Sequence, residues 1–394
     1  MALVSENERN DAVNSPSITE EANSTKRQHL TKTLTSPSSL PTLTFDLILE
    51  ILTRLPVKLL LQLRCVCKSW NSLISDPKFA KKHLSHSTTH SIHCLRYSNK
   101  YILNSYSLDS DLTNVTTIDD ASKPQYPFNN HVYFVGSCNG ILCFAHRCDH
   151  FFMVHLWNPS IRKFKELPFL EKPQHRFRRS VTMTMYGFGF DPVSDNYKVV
   201  VVLPEFDDII GHRNVLKVHT LGTDSWKTIS VFSYADNCIQ RQGKYVSGTI
   251  NWLVSVDIDQ GQCSIASIDL RNECYQEILL PNYFKLNLYM HLSVFRDCLC
   301  LIYGEDVWVM KEYGNKESWT RLFTISNMRD YLTPSYPYIR AEYVFEDQVL
   351  IDTIDPESIE QKYICYNFRN GTSKLIEFEK TLEVCVESLI SSCF

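Results

Sequence analysis

Five residues able to ligate a metal crowd one short stretch: His83, His86, His90, His93 and Cys94, within "HLSHSTTHSIHC". Imidazole and thiolate ligands would suit zinc, but the intervals fit no standard zinc pattern. The polar context is that of a solvated linker, so no metal is expected. "DPVSDNYK", Asp191 to Lys198, loosely resembles a calcium loop but lacks its glycine and distal glutamate, and is expected to form a β-turn. The preceding "GFGF" has neither P-loop nor dinucleotide-binding spacing. A cysteine beside a histidine can form a nucleophilic pair, yet with 14 cysteines and 13 histidines chance alone supplies candidates. No catalytic residue, metal or cofactor is therefore assigned. The chemistry to look for is recognition, and the residue pattern that carries it is apolar.

That pattern lies in "RLPVKLLLQLRCVCKSW", Arg54 to Trp70, inside a glycine-free zone spanning residues 40 to about 84. Leu47, Ile48, Ile51, Leu52 and Leu55 recur at helical spacing. Thr44 followed by Asp46 supplies a capped start with an acid in the first turn, and Pro56 stops that helix. A second run comprises Leu59, Leu60, Leu63, Val66, Cys67, Trp70, Leu73 and Ile74, with a break expected near Arg64 or Cys65 and an end at Asp76-Pro77. Three short helices result. So few residues cannot hide that many large apolar side chains among themselves. Either they dock on the rest of the chain or they await a partner protein, where buried apolar anchors carry most of the binding energy.

The surroundings constrain the choice. The chain has 394 residues, 44% of them hydrophobic and 21% charged, with a net charge of −4. This is ordinary folded composition with no bias toward nucleic acid or anionic membrane. The longest aliphatic run, Val199 to Leu203, falls far short of the ~20 residues a membrane helix needs. The start lacks the basic and apolar regions of a secretory signal. A cytoplasmic or nuclear location is expected, with the cysteines as reduced, mostly buried thiols and the sequons at Asn23, Asn114 and Asn370 unused. Residues 1–39 hold twelve Ser or Thr and no aromatic residue, which is the composition of disorder.

Beyond residue 84 the period changes to that of short strands and turns, so residues 85–394 are expected to be all-β. "VYFVGSCNGILCF" carries Asn139-Gly140 between two apolar strands, a strong hairpin signal, and "YICYNFRNGTSKLIEF" repeats it with Asn370-Gly371. Strands beginning near Leu156, Val218, Ile265, Val307 and Tyr363 recur every 40–60 residues or so, each preceded by another β segment. About four strands per unit is the size of a propeller blade, and the zone holds about six. No Trp-Asp or Gly-Gly dipeptide occurs, so a β-sandwich stays open as the alternative. Leu382 to Ile390 is expected to close the ring by pairing with a strand from residues 90–108.

"LTFDLILEILTRLPVKLLLQLRCVCKSWNSLISDPKFAKKHL", Leu43 to Leu84, resembles an F-box. Leu47-Ile48, Glu50-Ile51-Leu52, Arg54 to Lys58 and Arg64 to Trp70 stand in the family's register. Thr44 replaces a usual proline and Leu59 a frequent serine. The β zone is similar to the F-box-associated domain of plant proteins, through "GSCNGILCF", "LWNPSIRKFKELP", "YGFGFDPVSDNYKVV" and "SGTINWL". The resemblance implies a non-catalytic substrate receptor of an SCF ubiquitin ligase. Leu43, Leu47, Ile48, Ile51, Leu52, Leu55, Pro56, Val57, Leu60, Val66, Cys67 and Trp70 would then divide between the bundle core and the groove of a Skp-family adaptor. Cullin and RING subunits would follow through the adaptor, and the β-domain would hold a target protein. The seven Lys or Arg against three Asp or Glu in this stretch suit an acidic adaptor. Two rival functions remain: a carbohydrate- or ligand-binding module outside any ligase, and a propeller enzyme. "FLEKPQHRFRRS", Phe169 to Ser180, and "PEFDDIIGHRN", Pro204 to Asn214, are the candidate target-contact loops.

Overall fold

In a computed structural model the described residues are 44–97, 101–108, 116–117, 132–147, 151–171, 185–207, 211–232, 238–257, 259–286, 290–325, 339–345, 347–354, 361–376 and 381–391. The proposed disordered segment and Leu43 lie outside them. Asp46–Phe394 forms one compact unit.

The helical zone holds four helices, one more than expected: α1 (Phe45–Leu52), α2 (Val57–Leu63), α3 (Lys68–Ile74) and α4 (Pro77–His86). The break near Arg64 is a turn between α2 and α3. Asp76-Pro77 ends α3 but also starts α4. The Asp76 carboxylate accepts the Lys78 backbone N–H at 2.7 Å, and proline sits where a helix needs no N–H of its own. A signal that stops one helix is equally good at starting the next.

Six antiparallel sheets follow in chain order. The first contains β1 (His90–Tyr97), β2 (Tyr101–Leu108) and the short β3 (Thr116–Thr117). The second contains β4 (Val132–Cys138), β5 (Ile141–Arg147), β6 (Phe151–Asn158) and β7 (Lys163–Glu166), with β8 (Leu170–Glu171) also paired to β6. The third runs β9 (Met185–Asp191), β10 (Asn196–Asp207), β11 (Gly211–Thr220) and β12 (Lys227–Val231). The fourth runs β13 (Lys244–Val246), β14 (Thr249–Asp257), β15 (Gln262–Asp269) and β16 (Cys274–Leu279). The fifth runs β17 (Met290–Phe295), β18 (Cys298–Tyr303), β19 (Asp306–Met310) and β20 (Trp319–Thr324). The sixth runs β21 (Ile339–Phe345), β22 (Gln348–Ile354), β23 (Gln361–Asn367) and β24 (Thr372–Ile376). A last strand, β25 (Thr381–Val386), returns to the first sheet.

This is a six-bladed propeller. The five repeat markers all fall on third strands, β6, β11, β15, β19 and β23, so the period marks the blade. Middle strands such as β15 are buried along almost their whole length because neighbouring blades cover both faces, whereas outer strands such as β16 and β24 are exposed. That is why the inner strands are continuous apolar runs rather than alternating ones.

Ring closure is as anticipated. β25 pairs with β1 from Leu95↔Thr381 to His90↔Val386 and takes the innermost place in the first blade. Closure by a strand from the far end of the chain removes the free edge that an open sheet would expose. The two Asn-Gly turns differ. Asn139 (φ 52°) and Gly140 (φ 83°) make a two-residue hairpin with both residues left-handed, as expected. Asn370-Gly371 closes a longer turn in which the Asn367 side chain accepts the N–H groups of Arg369 and Asn370 at 3.0 and 3.2 Å.

Candidate docking site

The helical zone sorts its apolar residues into two sets. Leu52, Val57, Leu60 and Ile74 are buried, with Phe79 and Ala80 of α4, in a cluster continuous with propeller residues that include Ile141, Leu389 and Ile390. Leu47 (52% exposed), Ile51 (49%), Leu59 (39%) and Val66 (65%) remain in solvent. Of the residues expected to divide between the bundle core and an adaptor's groove, Leu52, Val57 and Leu60 are interior. They hold the helices together, because a one-sided stripe on such short helices also has to supply their core. Ile48, Leu55 and Trp70 are half-buried against that cluster, and Pro56 and Cys67 are exposed. Phe45, 64% exposed, is an apolar surface residue that the stripe did not single out. A side chain this large at the first position of a helix was the available signal.

Polar contacts fix the bundle. Arg54 donates to the Glu50 carboxylate at 2.7 Å across one helical turn, and Lys82 of α4 reaches its other oxygen at 3.2 Å. The Arg54 hydrogen bonds, followed by that of Lys82, hold the Glu50 carboxyl below its ordinary range. His83, buried in α4, donates from Nε2 to the Leu55 carbonyl at 2.9 Å. Burial keeps its imidazole neutral by lowering its pKa. The histidine stretch is thus dispersed. His83 pins the α1–α2 turn, His86 is exposed, and His93 meets the Ser105 hydroxyl at 2.9 Å inside the first blade. Among the described residues no group of three or more potential ligands converges on a metal position.

The joint between helices and propeller is three residues long, Ser87 to Thr89, and doubly tied to the closing strand's tail. The Ser87 hydroxyl donates to the Glu387 carbonyl at 2.9 Å, and the Glu387 N–H donates to the Thr89 carbonyl at 2.9 Å. Lys81 of α4 makes an ion pair with Asp195, in the turn between β9 and β10. The tail itself is latched by the motif residues of the second blade. Asn158 is fully buried, and its amide donates to the carbonyls of Ser388 (3.1 Å) and Ile390 (2.7 Å). Ser388 in turn donates to the Asn139 carbonyl at 2.7 Å. A Cβ on Gly140 would lie 2.1 Å from the Ser388 hydroxyl, so only glycine allows the tail this close. "NG" and "WNPS" therefore serve closure. "GFGF" serves blade packing, since a Cβ on Gly189 would meet the Tyr245 ring at 2.4 Å. The "DPVSDNYK" segment is a β-turn, with Asp191 accepting the Val193 N–H at 2.9 Å and Asp195 left-handed.

Innermost strands of all six blades line an axial cavity of about 520 Å³. Gln242 donates to Glu383 across it at 3.1 Å. Of the two candidate contact loops, Pro204–Asn214 is largely strand. β10 and β11 stay paired to Asp207↔Gly211, which carries the hairpin beyond the Val199 to Leu203 run. In the other, Phe169 is 62% exposed and packs edge-on against Phe151, and residues 172–180 lie outside the described set. All cysteines among the described residues are free thiols. Most are buried, and burial raises Cys238 and Cys300 to about 12, beyond the range in which a thiolate forms.

Comparison with known proteins matches residues 40–82 to the F-box domain and residues 90–384 to the F-box associated beta propeller domain. The Arabidopsis thaliana F-box/kelch-repeat protein At3g23880 is 31% identical over 77% of this chain and 84% of its own length. The F-box protein CPR1 of the same plant is 28% identical over 76% of each. The F-box protein At2g40925, also from Arabidopsis thaliana, is 25% identical over 84% of this chain and 85% of its own.

Proposed function

We propose that this chain, which belongs to the F-box proteins carrying an F-box-associated β-propeller, is the target-recognition subunit of an SCF ubiquitin ligase. Its F-box helices dock a Skp-family adaptor, which brings the cullin and RING subunits. Its propeller holds a target protein. The observation that carries this reading is the exposure of Leu47 and Ile51 on α1, Leu59 on α2 and Val66 in the turn after it, while the interior of the helices is already filled by Leu52, Val57, Leu60 and Ile74. Such a surface is costly to leave in water and is covered when a partner supplies an apolar groove.

The mechanism is proximity. The chain performs no covalent step. It raises the concentration of target lysines near the activated ubiquitin, and a short stiff connection makes that gain larger than a floppy one would. The three-residue joint, its two hydrogen bonds to the tail and the Lys81–Asp195 pair supply that stiffness. Topology supports a target face. The turns joining first and second strands, such as Asn139-Gly140 and the one holding Asp195, lie at the end where α4 sits. Second strands end and third strands begin at the opposite end, as their antiparallel pairing requires, so a target held there is kept clear of the adaptor.

The test is co-purification of a Skp-family adaptor with the full chain and with Leu47→Asp/Ile51→Asp. The expected result is loss of the adaptor with the far-ultraviolet spectrum intact. Retention by the double variant overturns the docking surface. Capture of targets on such an adaptor-blind chain, which cannot pass them on for degradation, identifies what the propeller holds.

A further inference from the structure

A cleft of about 540 Å³ lies between α4 and the propeller, walled by Leu84, Phe190, Leu221 and Ile390 and floored by Tyr197. α4 spans it like a strap, held by the Lys81–Asp195 pair and by Ser87. Ser85, also on its lining, is too small to fill it. Tyr197 is 5% exposed. Its hydroxyl accepts the Asn139 amide at 3.1 Å, but its own proton meets no acceptor among the described residues. A buried donor without an acceptor costs free energy and marks a place where one is wanted. Burial pushes the phenol's pKa upward, so it stays a donor at every physiological pH. The only full charges on the lining, Lys81 and Asp195, neutralise each other.

We propose that this cleft binds a compact, uncharged, largely apolar molecule whose carbonyl oxygen accepts the Tyr197 phenol proton. The size is that of a small-molecule site, and four apolar side chains share the lining with the uncharged polar groups of Ser85, Asn139, Asn196 and Tyr197. Such sites favour junctions of this kind. The molecule would touch α4 on one side and β10 on the other. Under the ligase reading it would set how firmly the F-box is held to the target-bearing propeller, since only contacts that differ between two arrangements shift their balance. Binding itself does not depend on that reading.

Nile red, a neutral fluorophore with one carbonyl oxygen, is the probe, titrated into the full chain. Saturable one-to-one binding is expected, about tenfold weaker in Tyr197→Phe and absent in Leu84→Trp. Ser85→Trp closes the mouth of the cleft without disturbing the packed Leu84, and should also abolish binding if Leu84→Trp fails to fold. Camphor, a neutral ketone, should displace the dye, and the camphorate dianion should not. Equal affinity in wild type, Tyr197→Phe and Ser85→Trp would place the dye on the exposed α1 face and overturn the site. Better competition by camphorate would overturn the uncharged class, and no saturable binding overturns the proposal outright.

Discussion

The F-box helices and the propeller treat large apolar side chains in opposite ways. The inner strands of the blades bury their continuous Val, Ile and Leu runs, with Trp252, Tyr363 and Phe188 among the largest side chains fully shielded from solvent, and exposed leucines such as Leu279, Leu322 and Leu375 lie on outer strands. The helices bury one part of their stripe and leave Leu47, Ile51, Leu59 and Val66 in water. A closed ring satisfies itself, whereas four short helices of 7–10 residues do not. The helices are held because α4 is tied to the ring, while their remaining apolar face stays in water.

The contrast breaks most completely when closure is removed. Deleting Thr381 to Phe394 takes the innermost strand from the first blade and the latch from the second, exposing the β1 edge. The soluble fraction should collapse, and the melting transition should be lost rather than shifted. Asn158→Ala is the graded version. It deletes the amide that donates to two tail carbonyls, leaving them buried and unpaired, and should cost about 2–4 kcal/mol by denaturant titration. Acid acts on the first blade. Burial pulls the His93 imidazole down from 6.5 to about 3. The folded value lies below the unfolded one, so the unfolded chain takes the proton first. Stability is full above pH ~6.5 and falls as the pH drops toward ~3. His93→Gln should flatten that slope between pH 6.5 and 4.5 in thermal melts. On the helices the expected effect on stability is smaller still. Leu47→Asp with Ile51→Asp should leave the unfolding free energy within about 1 kcal/mol of wild type, because surface substitutions rarely do more, while adaptor capture is lost. Lys81→Ala removes an ion pair exposed on both sides and should change the melting midpoint least, by the equivalent of about 0–1 kcal/mol.

Much of this was legible in the residues. The period of the Leu156, Val218, Ile265, Val307 and Tyr363 strands located the third strand of five of the six blades because each of those blades repeats one burial pattern. The closing strand could be read because a lone apolar strand at the far end of a repeat array needs an edge to pair with. The division of the helical stripe was not legible. Leu52 and Ile51 are neighbours of equal hydrophobicity, and only the packing of α4 and the tail decides which is inside. Nor could "PEFDDIIGHRN" be read as strand, since polar residues suit an exposed hairpin as well as a loop. The Tyr197 cleft depends on the placement of α4, which no local pattern encodes.

Position in the chain gives β25 a further meaning. The F-box helices leave the ribosome some three hundred residues before the strand that completes the first blade. Their packing waits for that strand as well, because Leu389 and Ile390 just beyond it share the cluster of Leu52 and Leu60. The propeller becomes whole only once β25 has been made. A message truncated before Thr381 would therefore yield a polypeptide with an open first blade and helices short of part of their packing.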